Sequence, residues 1–375
     1  MIIMALDHVR DFFHAQAMTD DPLNMQTTTP ALFFTRWITH FCAPTFVFLA
    51  GTSGWFQSMR KSKKELSLFL IKRGLWLLMV EIVIINYAVT FNPHWNTIGL
   101  QTIWSIGISM IILGGVIWLP FRTILALGLL IVLGHNSLDF YEAHFAPNYQ
   151  YPVAYSFLHH QGFYHLWADH NLLIMYPFLS WAGLMMLGYC FGKLFTSYEG
   201  AERKRILTQL GIGVIALFIL LRAINIYGNP DPWHTEKNFV YTLLSFLDTH
   251  KYPPSLMYMC MTIGPAILFI ALAGHKTSGL TKFVTVYGRV PFFYYILHFF
   301  LIHLVATAFF FMRHSPSENV KLPPGFDIRF IVPGEGYNLW VVYDVWMFVV
   351  LSLYPLCKWF SNYKMKHKDW WLSYL

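Results

Sequence analysis

Apolar segments long enough to cross a lipid bilayer recur along the whole chain. A transmembrane helix needs about 20 consecutive, mostly apolar residues, and about ten segments meet or approach that length. They lie near residues 1–17, 31–58, 66–90, 99–119, 122–135, 170–192, 207–228, 255–274, 284–312 and 339–358. Only 12% of the 375 residues are charged, against about 25% in soluble domains. The sequence therefore predicts an all-α, polytopic transmembrane helical bundle that forms a single domain over residues 1–375.

The first of these segments differs from the others. Its apolar run, MIIMAL, is too short to span a membrane, and charged residues follow it at once. The N-terminus has neither the basic region nor the small-residue cleavage site of a signal peptide. We therefore expect the first span to be truncated.

Lysine and arginine are distributed unevenly between the two sets of loops. The loops after even-numbered segments, together with the C-terminal tail, carry 15 basic residues, whereas the opposite loops carry 5. Because loops rich in basic residues stay in the cytoplasm, the basic set is predicted to be cytoplasmic. It comprises residues 59–65, 193–206, 275–283 and the C-terminus. The loops on the far side are near 18–30, 91–98, 136–169, 229–254 and 313–338. This asymmetry explains the net charge of +7 without nucleic acid as a partner.

Neither the cysteines nor the histidines form a recognisable metal motif. The 4 cysteines lie in apolar segments without CxxC spacing, which is typical of buried thiols. Most of the 17 histidines fall on the far side, among them His159, His160 and His165, but no acidic or cysteine ligand stands at a regular spacing beside these three. We therefore expect no metal cofactor.

Ionisable residues are concentrated in the first segment, which holds Asp7, His8, Arg10, Asp11 and His14. Charged groups at membrane depth are costly and are rarely present without a function. On a helix, Asp7, Asp11 and His14 share one face because they are spaced i, i+4 and i+7. An acid beside an imidazole can orient it, and histidine is the usual general base near neutral pH. The pattern favours chemistry over its alternative, a buried ion pair that only fixes helix packing.

The second segment adds Arg36 and His40, which are again four residues apart. If the first two segments form a hairpin, these side chains lie at the depth of the first cluster. Pro44 and the small residues at 50–54 permit a kink and a close approach between helices. His14 and His40 are therefore both candidate bases, with Asp7 and Asp11 as the acids that hold them.

The ninth segment, GRVPFFYYILHFFLIH, places Arg289 at the cytoplasmic mouth and His298 about halfway across, on the face of Tyr294. An arginine at that mouth can bind phosphate or anchor the helix at the interface. Further charges within the segments have no assignable partner: Glu81, Arg222 and Asp344. The chain contains no Walker loop and no GxSxG or HExxH motif, which removes the common nucleotide-hydrolysing, serine-hydrolase and zinc-protease classes.

Six motifs follow one another in a characteristic order. They are LDHVRDFF at 6–13, APTFVFLAG at 43–51, LIMYPFLSWAGLMMLGYCFG at 173–192, LLRAINIYG at 220–228, KYPPSLMYMCMTIGP at 251–265 and GRVPFFYYILHFFLIH at 288–303. In this order they resemble the catalytic domain of the heparan-α-glucosaminide N-acetyltransferase family, in its bacterial branch of membrane proteins. The arginine–glycine pair that usually follows leucine-aspartate in the family's first helix is absent here.

The resemblance implies a membrane acetyltransferase. Such an enzyme takes acetyl-CoA from the cytoplasm and passes the acetyl group to an amino sugar on the far side. In the family, a histidine after the first helix of the catalytic domain is the key group, and His14 is its nearest match. His40 stands four residues before Pro44, where the animal enzymes carry an acidic residue. The family's first-helix asparagine corresponds best to Asp7.

The resemblance also implies where the donor binds. The phosphates of acetyl-CoA would be attracted to the basic cytoplasmic face by Arg289, Lys72 or Arg73, and His298 is assigned to the same site. The expected partners are the lipid bilayer, acetyl-CoA and an amino-sugar acceptor, with a homodimer as a further option. The expected location is the bacterial inner membrane, with several passes and a cytoplasmic C-terminus.

Two other classes of function fit the same residues. In a proton-coupled solute transporter, the histidines, acids and arginines within the spans would relay protons, but the chain lacks the internal repeat that many transporters show. In a non-catalytic assembly factor for envelope polysaccharide, they would serve packing alone.

Overall fold

The computed structural model describes residues 1–146, 148–273, 278–315 and 327–374. Its α-helices are α1 (Ile2–Phe13), α2 (Pro30–Trp37), α3 (Cys42–Ser58), α4 (Lys63–Val80), α5 (Asn86–Thr90), α6 (Thr102–Val116), α7 (Phe121–Gly134), α8 (Ser137–Glu142), α9 (Val153–Leu158), α10 (Leu179–Ser197), α11 (Gly200–Ile224), α12 (Phe239–Leu247), α13 (Leu256–Leu272), α14 (Gly279–Arg289), α15 (Pro291–Arg313) and α16 (Leu339–Lys366). One small sheet, in the order β1–β3–β2, consists of β1 (Thr97–Leu100), β2 (Gly162–Trp167) and β3 (His170–Ile174). The predicted all-α class is confirmed.

Among the described residues, 5 helical segments are long and apolar enough to cross a membrane. They are Pro30–Ser58, Phe121–Glu142, Gly200–Ile224, Pro291–Arg313 and Leu339–Lys366. Each of the predicted segments contains a helix, but the count of ten spans is not confirmed. Helix α1 has 12 residues, about 18 Å at 1.5 Å per residue, and is shorter than the hydrocarbon core.

Two of the predicted span boundaries are wrong. The segment 170–192 begins with β3, which pairs antiparallel with β2 across a polar turn, and helix α10 starts only at Leu179. The segment 284–312 is divided at Val290, whose backbone is not helical, because Pro291 has no N–H to continue the ladder of α14. Parts of two predicted loops, residues 274–277 and 316–326, lie outside the described residues.

The chain consists of two compact units. Unit 1 comprises Met1–Cys42, Val83–Thr97 and His275–Leu375. Unit 2 comprises Ala43–Ile82 and Ile98–Gly274. The single domain predicted over residues 1–375 is not tested by this division and stays a prediction.

Unit 1 is built around α1. This helix packs against α2, α15 and α16, while α14 packs against α15 and α16. The apolar side chains of α1 that are buried there include Val9, Phe12 and Phe13. The ends of its neighbours are capped, since Thr29 accepts a hydrogen bond at the start of α2 and Asn338 does so at the start of α16. The charged stripe of α1 is thereby held among helices rather than left at a surface.

Small residues let two helices of unit 2 approach closely. Gly51 in α3 lies against the backbone of Met185 in α10, and Gly188 in α10 lies against the backbone of Phe48. A side chain at either glycine would overlap those backbone atoms, which is why small residues mark contacts between membrane helices. The close approach predicted from residues 50–54 is present.

Candidate active site

The acids of α1 are bound by arginines. Arg10 donates from Nη2 to Oδ1 of Asp7 at 3.2 Å and to Oδ1 of Asp11 at 2.6 Å. The three side chains share one face of the helix because they are spaced three and four residues apart. Asp7 and Arg10 are buried, whereas the Asp11 side chain is 35% exposed.

A second arginine reaches Asp7 from α2. Nη1 of Arg36 lies 2.6 Å from Oδ1 and 2.5 Å from Oδ2 of Asp7. Both side chains are about nine-tenths buried, so each charge has left most of its hydration and depends on the other. This pairing confirms that the first two segments meet at one depth. Asp7, Arg10, Asp11 and Arg36, which we call the α1 cluster, carry two positive and two negative charges.

His14 lies just beyond the last residue of α1, and its backbone is held by a neighbouring strand-like segment. Tyr337 donates from its backbone N–H to the carbonyl of Phe13 at 2.7 Å, and Ala15 donates to the carbonyl of Tyr337 at 3.0 Å. Gly336 allows this approach, because a side chain there would overlap the backbone of His14 and Ala15. The imidazole is half-buried, and burial together with the charge of Arg10 lowers the pKa of His14 below its ordinary value.

The expected contact between an acid and His14 is not made. Within the described residues, the hydrogen bond of the His14 ring is the one that Nδ1 accepts from the backbone N–H of Gln16, at 3.3 Å. The physical reason is competition, because a guanidinium offers a carboxylate stronger, charge-assisted hydrogen bonds than a neutral imidazole does. His40 lies in a 3-10 turn, Ile38–Phe41, after α2 and is fully buried. The roles of both histidines as bases stay predictions.

His298 on α15 is the histidine that the fold brings beside α1. Its Nδ1 lies 2.5 Å from the carbonyl of Tyr295 and 3.2 Å from that of Tyr294, so Nδ1 carries the proton and donates. Its Nε2 is therefore a lone pair, buried and without a hydrogen-bond partner among the described residues. The ring of His8 is centred 5.2 Å from that of His298. Nδ1 of His8 is also 4.0 Å from Oδ2 of Asp11.

The sequence alone does not assign a role to His8, which lies between Asp7 and Asp11 on α1. Its neighbour His298 could not be predicted from local spacing, since α15 begins 283 residues after His8. In unit 1, the carboxylate of Asp11, the imidazole of His8 and the imidazole of His298 therefore follow one another in space.

The predicted donor-binding residues fall in both units. Arg289, at the end of α14, is exposed and donates to the sulfur of Met365 at 3.5 Å. Exposed lysines of α14 and of the end of α16 belong to the same unit: Lys282, Lys358 and Lys366. Lys72 and Arg73 lie on α4 in unit 2. Asp7, Asp11, His14, His40, Arg289 and His298 all belong to unit 1.

Two of the three other charges within the predicted spans, Arg222 and Glu81, have hydrogen-bond partners. Arg222 donates to four backbone carbonyls, those of Asp231, Ser245, Phe246 and Asp248. It therefore ends α11 by tying down the loop around α12, a structural role. Glu81 accepts a hydrogen bond from the backbone N–H of Gln101 at 3.0 Å. Asp344 on α16 is exposed and lines an open apolar groove.

Comparison with protein-family models decides the family. Residues 2–227 match the model described as heparan-alpha-glucosaminide N-acetyltransferase, catalytic. The chain belongs to this family. The matched region is more than half of the chain and contains α1, α2 and the whole α1 cluster, whereas α14 to α16 follow it. Neither the comparison with curated proteins nor that with solved structures found a match.

Family membership and the helices together make the protein a membrane transferase of the acetyltransferase type. The resemblance derived from the six motifs is thereby confirmed at the level of the family.

Proposed function

We propose that the protein transfers the acetyl group of cytoplasmic acetyl-CoA to the amine of a sugar on the far side of the membrane. The observation that carries this proposal is the family match across α1 and α2, where the buried α1 cluster stands. Four mutually paired charges at the start of the matched region hold one helix in a defined position, as a site that must align two substrates requires. The distribution of basic residues supports the direction of transfer.

The chemistry needs one proton acceptor. In direct transfer, the amine nitrogen attacks the thioester carbonyl, the C–N bond forms, and the C–S bond breaks. The amine proton passes to a histidine, and CoA leaves as the thiolate that this proton then neutralises. In the two-step route, the histidine nitrogen attacks the thioester carbonyl, and CoA leaves as the thiolate. The amine then attacks the acetyl carbon, the imidazole leaves, and the amine proton passes to the imidazole. His14, His40 and His298 are the candidates in unit 1.

His298 is the candidate that the geometry of unit 1 favours most. Because its Nδ1 donates to backbone carbonyls, its Nε2 is held as the free lone pair that a base or nucleophile requires. The ring of His8 is centred 5.2 Å from that of His298, and Nδ1 of His8 lies 4.0 Å from Oδ2 of Asp11. We therefore add His298 to His14 and His40 as a proposed base, beyond its predicted role in donor binding.

The proposed orientation places the donor at the basic end of unit 1. Arg289 and the lysines of α14 and α16 would attract the phosphates of acetyl-CoA. The C-terminus would be cytoplasmic and the membrane a bacterial inner membrane, with a homodimer as a further option. Reporter fusions after Lys64 and after Leu375 test this. A reporter active on the far side at either point would overturn the assignment of the donor face.

Release of CoA is the decisive measurement. The purified full chain, in lipid nanodiscs, is mixed with acetyl-CoA and each of a panel of amino sugars, and free thiol is followed over time. We expect release with at least one amino sugar and none with the matching neutral sugar, which has a hydroxyl in place of the amine. No release with any sugar, together with a melting temperature that millimolar acetyl-CoA leaves unchanged, would overturn the proposal in favour of a transporter or an assembly factor.

Arg289 and Arg313 provide a matched pair of variants for the donor site. Arg289 lies two residues before α15 begins, and Arg313 is the last residue of α15, so the two arginines are at opposite ends of this helix. Arg289→Ala should reduce the stabilisation of the protein by acetyl-CoA, and Arg313→Ala should leave it unchanged. Equal losses in both variants would indicate a general effect of charge rather than phosphate binding.

A further inference from the structure

Unit 2 contains a second cluster of ionisable side chains that the proposed transfer does not use. Asp139 and Glu142 lie one turn apart on α8, so their carboxylates project from the same face. His159 follows the last residue of α9. One ligand atom from each of these three residues lies within 4.8 Å of the other two. We call Asp139, Glu142 and His159 the α8–α9 cluster.

Buried and directional contacts hold each member of this cluster in place. His159 is fully buried, and its Nδ1 lies 2.9 Å from Oε1 of Glu142. The hydroxyl of Tyr155 donates to the same oxygen at 2.9 Å. The side-chain amide of Asn136 donates to Oδ2 of Asp139 at 2.7 Å. Hydrogen bonds of this kind orient ligands in metal sites and are the part of such sites that is costly to lose.

The outer nitrogen of His159 also has the partner that a ligand histidine requires. Its Nε2 lies 3.2 Å from Nδ1 of His135, which is itself buried. A histidine that binds a metal through one ring nitrogen normally uses the other in a hydrogen bond, which fixes its tautomer. In the hydrogen bond to Glu142, Nδ1 of His159 donates. A metal ion would displace this proton, as metal ions do from their ligands, and Nε2 could then donate to Nδ1 of His135.

Two carboxylates at this spacing repel each other unless a cation or a proton lies between them. Their charged neighbours in the described residues are histidines, His159 and His250, which carry a positive charge only when protonated, and Asn136 binds only one of the two oxygens of Asp139. A bound cation would neutralise both acids at once and use the nitrogen of His159. Ligands bound at about 2.0–2.2 Å around a tetrahedral ion are about 3.4 Å apart, so only small side-chain movements are needed.

We propose that Asp139, Glu142 and His159 bind one divalent transition-metal ion. One imidazole nitrogen with two carboxylate oxygens is a donor set that suits zinc or manganese better than magnesium or calcium, which prefer oxygen alone. Three protein ligands leave a fourth position for water or for an oxygen of a bound molecule. The ion would tie α8 to α9 at the end of the Phe121–Glu142 span.

This proposal departs from the expectation of no metal. That expectation was based on local spacing around His159, His160 and His165, where no acidic or cysteine ligand stands at a regular spacing. The acids come instead from α8, which precedes His159 by 17 residues or more. His160 and His165 are not part of the cluster.

Metal binding is measured on the full chain without reference to transfer activity. The protein carries a purification tag free of histidine, is stripped with EDTA, and is titrated with zinc chloride or manganese chloride in a calorimeter. We expect one equivalent per chain and a higher melting temperature, which EDTA reverses. Because 17 histidines can bind zinc weakly, the stoichiometry must be compared with a control variant.

His170→Gln is the matched control. His170 forms a pair with Asp169 at 3.1 Å in the same unit, but its side chain is 28% exposed, and within the described part of the chain no second acid completes a ligand group with it. The control should keep the tight equivalent, whereas Glu142→Gln and Asp139→Asn should weaken it by about 100-fold or more. Equal zinc binding in wild type and Glu142→Gln would overturn the proposal, and so would an equal loss in His170→Gln.

Tyr155→Phe covers the case in which a ligand variant fails to fold. It removes one hydroxyl from Glu142 and no ligand, so the chain should fold, still bind one equivalent and lose about 10- to 100-fold in affinity. An affinity equal to that of wild type would contradict the site as described. A wild-type protein that binds the metal but releases no CoA with any amino sugar would count against the proposed function alone. The two proposals therefore fail separately.

Discussion

The α1 cluster and the α8–α9 cluster each hold two acids within a turn of one helix, yet they neutralise them differently. In unit 1, the acids bind the guanidinium groups of Arg10 and Arg36, which stay charged at every accessible pH. In unit 2, the acids face His159, an imidazole, which is a common metal ligand and not a permanent charge. The first arrangement suits a fixed scaffold, and the second suits a site whose charge balance can change.

The largest effect is expected from the base of the transfer reaction. A positioned general base contributes about 10²- to 10⁴-fold to the rate, so alanine at the true base among His14, His40 and His298 should cost that much. Acetyl-CoA binding should be retained. His170→Gln in unit 2, at a partly exposed histidine outside both clusters, should retain the parental rate. CoA release by each purified variant is the measurement.

The comparison between the units depends on that result. If all three histidine variants of unit 1 fold as single species and transfer acetyl at the parental rate, unit 1 does not supply the base. If His298→Ala alone is inactive, His298 is the base, and α1 contributes to the reaction through His8, which lies beside it. His8→Phe, which keeps a ring against Phe299, should then reduce the rate less than His298→Ala does.

Removal of Asp7 should have the next largest effect, this time on stability. Asp7→Ala leaves Arg36 buried without its main carboxylate, and breaking a buried pair from one side costs about 3–5 kcal/mol. Asp11→Ala is the matched variant. The Asp11 carboxylate is partly exposed, binds Arg10 and lies 4.0 Å from His8, so its removal should cost about 1 kcal/mol or less. Chemical denaturation in a fixed detergent measures the difference. Equal losses would mean that Arg36 does not depend on Asp7.

The contact that positions His14 should show a smaller effect. A methyl group at Gly336 would overlap the backbone of Ala15, so Gly336→Ala should cost about 1–3 kcal/mol and shift His14. Gly288→Ala in α14 is the control, because nothing lies near that position and alanine favours a helix by about 0.5–1 kcal/mol. Thermal unfolding of both variants tests this. If Gly288→Ala lowers the melting temperature and Gly336→Ala does not, the close contact at Gly336 does not hold the backbone of His14.

The smallest effect is expected from pH, and it distinguishes the fixed charges of unit 1 from the titratable ones of unit 2. Burial alone would lower the pKa of His250, but its hydrogen bond to Asp231, the charge of that carboxylate and the carbonyl of Tyr252 raise the pKa above its ordinary value. The stabilisation is therefore complete below about pH 6.5 and is lost as pH rises through the raised pKa.

The size of this effect is limited by solvent. The His250 side chain is 35% exposed and the Asp231 side chain 76% exposed, so the contribution should be less than about 1 kcal/mol. Melting curves of wild type and His250→Gln should differ at pH 6 and converge above the raised pKa. A difference that grows with rising pH would contradict the sign.

The features of this molecule that could be predicted are those encoded by residues close together in the sequence. The length of the apolar segments is a local property and predicted the all-α membrane class. The excess of basic residues in alternate loops predicted the orientation, and the ordered motifs indicated the family. The pairing of Asp7 with Arg36 was also accessible, because the two residues lie on consecutive helices. The boundary at Pro291 was missed although the signal was present, since the apolar run continues across it.

The sequence by itself determined the helices, the stripe of charges on α1 and the family, because periodicity and motif order depend only on neighbours in the chain. Only the tertiary structure decided which partner each charge has. It bound the acids of α1 to arginines instead of His14, placed His298 beside His8, and brought the acids of α8 to His159. Such contacts join residues that are tens to hundreds of positions apart, and they follow from how helices pack, which no local spacing records.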